Sequence, residues 1–194
     1  GDDRDSDGYY DIYAQRVDGT GAALWQENGI PISTADYTQY YPRIVSDEAD
    51  GAIIVWSDYR KGQYDVYAQR VTGDGDTLWA ANGAPVDTSQ GDQYMAEAVS
   101  DGAGGAYIVW TDTRNGNGDI FARRIDGSGN LVWGPDPVAV CLVAAWPYDI
   151  CIAASPGGGA CVAWYDEREG YSNVYVQKLE PDGYSYWLPD GINI

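Results

Sequence analysis

The chain has 194 residues, 44% of them hydrophobic, a net charge of −19 and an isoelectric point near 4.1. A field of that sign repels polyanions, which excludes nucleic acid and anionic membrane surfaces as partners. No His is present, so Ser-His-Asp and Cys-His catalysis are excluded, and no apolar run approaches the ~20 residues of a membrane-spanning helix.

In chain order, residues 1–36 read as half a unit. Asp3-Arg4-Asp5-Ser6-Asp7-Gly8-Tyr9-Tyr10-Asp11 leads into the alternating run Tyr10 to Val17, which is followed by the turn Asp18-Gly19-Thr20-Gly21 and by Trp25. Residues 37–90 form a complete unit of four predicted strands. Tyr41 to Ser46 is the first. Ala52 to Ser57, continuously apolar, is a second strand buried on both faces. Asp65 to Val71 alternates with a period of two, and Thr77 to Val86 carries the fourth strand. Residues 91–144 and 145–194 repeat the pattern. The run Tyr10 to Val17 returns as Tyr64 to Val71, Gly118 to Ile125 and Ser172 to Leu179, each step being 54 residues. Trp25, Trp79, Trp133 and Trp187 keep that step, as do Trp56, Trp110 and Trp164. Seven of eight Trp at repeat positions predict an all-β protein of β-propeller blades, each of four antiparallel strands, with three full blades and a half blade in one repeat domain over 1–194. The abundance of Tyr and Trp over Phe, 17 and 8 against 1, suits half-buried strand faces.

The units Trp-x-Asp-x-Arg, Asp-Ile-Tyr-Ala-Gln-Arg-Val and Asp-Gly-x-Gly-x-x-x-Trp resemble the repeats of secreted bacterial multi-repeat propeller proteins. The resemblance implies a propeller in an extracellular or cell-surface protein, whose export signal is not in this chain. It implies no particular activity, because fold alone does not give function.

Residues found in every blade solve a packing problem common to every blade, whereas functional asymmetry belongs where blades differ. Trp56, Asp58 and Arg60, their repeats Trp110, Asp112 and Arg114, and then Trp164, Asp166 and Arg168 are therefore expected to be scaffold. The first unit differs by two extra residues between Arg4 and Asp11, which creates Asp-x-Asp-x-Asp-Gly-x-x-Asp. Alternate carboxylates converge on a hard cation, so Asp3, Asp5, Asp7, the Tyr9 carbonyl and Asp11 are the expected Ca2+ ligands, a spacing similar to the calcium loops of integrin-type propeller blades. The predicted first strands differ too: Tyr41, Met95 and Asp149 are equivalent, as are Arg43, Glu97 and Cys151. If these strands are innermost, such side chains face the central channel, and Arg43 with Glu97 is expected as a salt link. Trp146 stands outside the repeat and is the best single candidate for stacking on a ligand, with Tyr59, Tyr171 and Tyr184 as further aromatic candidates. Cys141, Cys151 and Cys161 leave two readings open, a cross-strand disulfide between Cys151 and Cys161 or free thiols.

These observations lead to the expectation of a non-catalytic extracellular module, not an enzyme, stiffened by Ca2+ and built for self-assembly or protein interaction. Its partners would be a homo-oligomer or further propeller blades joined through exposed strand edges, or a protein ligand. The alternatives are a glycan-binding, lectin-like propeller and, behind it, a glycoside hydrolase.

Overall fold

A computed structural model describes residues 2–4, 8–116, 118–143 and 147–194. Its 14 strands form four antiparallel sheets, each a meander in chain order. Strands β1 (Ile12–Ala14) and β2 (Ile30–Ser33) make the two-stranded first sheet. The second holds β3 (Gln39–Ser46), β4 (Ala52–Asp58), β5 (Asp65–Val71) and β6 (Ala84–Asp87). The third holds β7 (Gln93–Ser100), β8 (Ala106–Asp112), β9 (Asp119–Ile125) and β10 (Val138–Cys141). The fourth holds β11 (Tyr148–Ala154), β12 (Ala160–Asp166), β13 (Asn173–Leu179) and β14 (Ile192–Asn193). Three full blades and a half blade are the expected architecture.

The sheets stack face on face, and the core lies between them. One face of the second sheet (Ile53, Val55, Val66, Ala68) packs on Ala96, Ile108, Trp110 and Phe121 of the third. The equivalent face of the third (Val109, Ile120, Ala122) packs on Val162, Trp164 and Tyr175 of the fourth. A strand with a sheet on each side must be apolar on both faces, which is why β8 is buried along its whole length. By contrast, β12 alternates between buried and partly exposed residues, because only one of its faces is covered.

Two local expectations change. The fourth strand begins at Ala84, not at Thr77, which makes only a single bridge to Val71. Between them, Gln69 replaces the ladder: its Nε2 donates to the Ala80 carbonyl at 2.8 Å and its Oε1 accepts from the Trp79 N–H at 2.8 Å. Nor is the first unit wholly without its second strand. Asp2 bridges Asp11 antiparallel, the pairing that Asp58 makes with Asp65 and Asp112 with Asp119. Arg4 bonds Asp2 and lies 3.7 Å over the Tyr13 ring, as Arg60 lies 4.0 Å over Tyr67. Asp2-Asp3-Arg4 is thus the Asp-x-Arg motif of the half blade.

Candidate functional site

The repeated motif makes the same hydrogen bonds in each full blade. The Trp56 indole N–H donates to the Asp58 carboxylate at 2.8 Å, and Arg60 Nε donates to its other oxygen at 2.7 Å. Arg60 also reaches the Asn82 carbonyl at 2.8 Å, tying the second strand to the turn before the fourth. Trp110, Asp112 and Arg114 repeat the geometry, as do Trp164, Asp166 and Arg168. The three Asp are fully buried, so each Arg neutralises a charge that would otherwise be costly in the core. For Asp166, burial pushes the carboxyl upward, but the bonds from Arg168 and Trp164 outweigh it and hold the group below its ordinary value. Each Arg also reaches the preceding blade, Arg60 to Ser33 Oγ, Arg114 to the Asp87 carboxylate and Arg168 to Cys141 Sγ, each at 3.2 Å, so the hydrogen-bonding groups of the motif are taken up in holding strands and blades together.

The inner strands are different. Each carries a bulge, between Tyr40 and Arg43, Tyr94 and Glu97, and Tyr148 and Cys151. The bulged residue is left-handed in every blade, with φ of 53° at Tyr41, 56° at Met95 and 48° at Asp149. A non-glycine residue there costs of order 1–2 kcal/mol, so the fold maintains three strained positions along its axis. A bulge re-aims the side chains beside it. Here Tyr41, Arg43, Met95, Glu97, Asp149 and Cys151 converge on a cavity of about 450 Å3. Arg43 Nε donates to Glu97 Oε1 at 2.6 Å across the blade junction, the salt link expected between them.

Sequence reading missed what adjoins the cavity. From Tyr41 a chain of tyrosines runs outward over one end of the molecule: Tyr40 lies 5.7 Å from Tyr41, 5.4 Å from Tyr10 and 6.4 Å from Tyr64, and Tyr64 lies 4.9 Å from Tyr59. Tyr9 and Tyr37 pack edge to face nearby at 5.3 Å. Five of these seven rings are exposed, while burial, and then its neighbouring tyrosines, push the Tyr64 hydroxyl upward. The available signal was the adjacent pairs Tyr9-Tyr10, which the next blade replaces with Gln63-Tyr64, and Tyr40-Tyr41, which the later blades replace with Tyr94-Met95 and Tyr148-Asp149.

Other predicted residues are dispersed. Tyr59 joins the tyrosine chain, but Tyr171 is exposed beside Glu169 and Tyr184 sits on an outer turn. Trp146 lies outside the described residues, as do Asp5 and Asp7 of the acidic loop. Within that loop the Asp3 carboxylate accepts the Gly8 N–H at 3.1 Å. Among the described residues, no three carboxylates or thiols gather on one point. All three cysteines are free thiols. Cys151 pairs in register with Ala163, and Cys161 with Ala153, so the two cysteines are diagonal neighbours rather than directly opposed. Cys141 is buried against Arg168, and burial pushes its thiol up to about 11.

Four-stranded meanders stacked around an axial cavity define a β-propeller. No protein-family model matches the chain, and no curated protein matches it. Among solved structures it is similar to an endo-arabinase from Bacteroides thetaiotaomicron VPI-5482, at 11% identity and a TM-score of 0.50, over 78% of this chain and 63% of that one. The chain therefore spans under two thirds of that structure, and at this identity the likeness carries the fold. It nevertheless corrects the expectation that the chain is not an enzyme, because the fold it matches is that of an endo-arabinase. Glu97 and Asp149 look unrelated along the sequence, yet successive inner strands bring both to the lining of the axial cavity.

Proposed function

We propose that this chain is the glycan-binding part of an exported β-propeller, with the sugar chain lying along the tyrosines and entering the axial cavity. The observation that carries the reading is the continuity between the Tyr10–Tyr40–Tyr41 rings and the cavity holding Arg43, Glu97 and Asp149. Sugar rings present apolar C–H faces that stack on aromatic rings and hydroxyls that bond charged side chains, and this surface offers both in sequence. Glu97 and Asp149 also supply the two carboxylates that glycoside hydrolysis commonly uses, so cleavage belongs in the same assay as binding.

Calorimetry against a panel of plant and bacterial polysaccharides, with product analysis by chromatography, tests this. Binding by the native chain, weakened about 3- to 10-fold in Tyr41→Ala and more in Arg43→Met, is the expected result for a lost stacking ring and a lost charged donor. A panel with no ligand, or a ligand bound equally by Tyr41→Ala, would overturn the proposal.

Ca2+ on the loop from Asp3 to Asp11 is part of the same reading. It is supported by the Asp3–Gly8 bond, which closes the loop from its first to its sixth position, where a hard-cation loop needs its sharp turn. Asp3, Asp5, Asp7, the Tyr9 carbonyl and Asp11 would hold the ion, beside the Tyr9–Tyr10 end of the aromatic surface. Calorimetric Ca2+ titration is expected to show one site, lost in Asp3→Asn; absence of binding by the native chain would remove the metal.

A further inference from the structure

The three junctions between blades share one lock. Trp25, Trp79 and Trp133 donate their indole N–H to carbonyls of Gly73 at 2.9 Å, Gly127 at 3.2 Å and Pro181 at 2.9 Å, each in the next blade. Arg16, Arg70 and Arg124 reach the same three carbonyls. Each indole also covers a glycine two residues on. A Cβ added at Gly75, Gly129 or Gly183 would lie 3.3, 2.9 or 2.8 Å from the ring. That turn is consequently a socket that only a residue without a side chain keeps open.

Within the described residues, the first and last units carry halves of this lock whose mates the other blades of this chain do not supply. Trp187 and Lys178 stand where the donors stand in earlier blades. Among the described residues the Trp187 indole N–H has no acceptor, and Lys178 turns to Glu180 at 2.7 Å. At the other end the half blade has the same turn, preformed by Asp18, whose carboxylate accepts the Thr20 and Ala22 N–H groups. Its Gly21 keeps the left-handed φ of 85°, yet no described residue lies within 4 Å of where a Cβ would be. Among the described residues the socket is built and unfilled.

The adjoining faces tell the same story. Val86 and Val140 are 1% exposed between blades, but their equivalent Ile194 is 74% exposed; Thr111 is 2% exposed, but its equivalent Tyr165 is 45%. On the half blade Val17 is 58% exposed, whereas Val71, Ile125 and Leu179 at that position are fully buried. One face is the donor side of a blade junction and the other is the acceptor side.

We propose that these ends are mates, and that a second copy of this chain docks head to tail, seating Trp187 of one molecule on the Gly19–Gly21 turn of the next, with Tyr165 and Ile194 covering Val17. The repeat sets the geometry, since the same Trp, turn and apolar positions already meet three times within one chain. The contact is heterologous, so it closes into a ring or extends into a filament. Because each molecule carries −19, association strengthens as salt screens the repulsion.

Sedimentation velocity of the native chain over a wide concentration range, at low and high salt, tests the proposal. Three variants probe the two halves, two on the donor and one on the socket. Trp187→Phe keeps the packing and removes the N–H, and Trp187→Ala removes the ring. Gly21→Asn tolerates the left-handed φ but fills the socket. The expected result is concentration-dependent assembly of the native chain, with Trp187→Ala and Gly21→Asn each at least 10-fold weaker while their circular dichroism and melting remain native. Mixed together, these two variants should form a 1:1 dimer that grows no further, because one intact donor meets one intact socket. A native chain that stays monomeric throughout, or a folded single variant that assembles as well as the native chain, overturns it.

Discussion

The buried carboxylates show how position decides chemistry in this chain. Asp58, Asp112 and Asp166 each have an Arg and an indole N–H to hold their charge. Asp65, at the start of β5, is buried with Gln63 on one oxygen at 2.8 Å, and Lys61 is 3.9 Å from the other, which has no hydrogen bond. Burial pushes the Asp65 carboxyl upward, with the Gln63 bond offsetting part of the rise. A carboxylate with a raised folded pKa lowers stability once it ionises, and that cost disappears below its unfolded value. The equivalent residue of the fourth blade is Asn173, uncharged at every pH. Asp65→Asn is therefore expected to raise stability at pH 7 by on the order of 1 kcal/mol, about 2–4 °C in melting temperature for a chain of this size. The gap should close as pH falls below about 3.8. Thermal melts of both proteins from pH 7 to pH 3 check this; a gap that widens toward acid would contradict the burial argument.

At the scale of single strands, the inner-strand bulge is the element that makes a site out of a scaffold. The hydrophobic pattern of Tyr41 to Ser46 and its repeats identifies a strand but not a bulge, because a bulge depends on how the neighbouring strand is registered. Tyr41, Met95 and Asp149 are maintained in a left-handed conformation three times over, although Gly would adopt it without strain. Met95 is exposed into the cavity, so little packing is lost with its side chain. Met95→Gly is expected to stabilise the protein by about 1 kcal/mol while weakening any ligand held in the cavity. Denaturant titration together with the polysaccharide calorimetry would show this opposition, and destabilisation would mean that Met95 serves the fold rather than the site.

Across the whole molecule, stability should follow the number of neighbours each blade has, as in any array whose units touch only the next one. The third sheet is the one with a full blade on both faces; β8 is buried along its whole length and β9 at all but one position. The half blade has two short strands and an exposed Val17, and β14 spans only two residues. Hydrogen exchange is expected to be slowest in β8 and β9 and fastest in β1, β2 and β14. If head-to-tail docking occurs, exchange in β1, β2 and β14 should slow as concentration rises, while β8 stays unchanged.

The sequence by itself determined the repeat, the strand count and the scaffold motif. Trp-x-Asp-x-Arg recurring every 54 residues has one packing solution, applied in each blade, and local alternation is enough to mark its strands. The salt link of Arg43 with Glu97 was legible as well, because residues one repeat apart on inner strands become neighbours when blades stack. What only the tertiary structure decided lies in the relations between elements. The axial cavity, the meeting of Glu97 and Asp149 in its lining, the tyrosines drawn together from four loops and strands, and the socket at Gly21 that no described residue fills all depend on how sheets turn about a common axis. That rotation is set by inter-sheet packing and bulge register, and residues tens of positions apart carry no local pattern that records it.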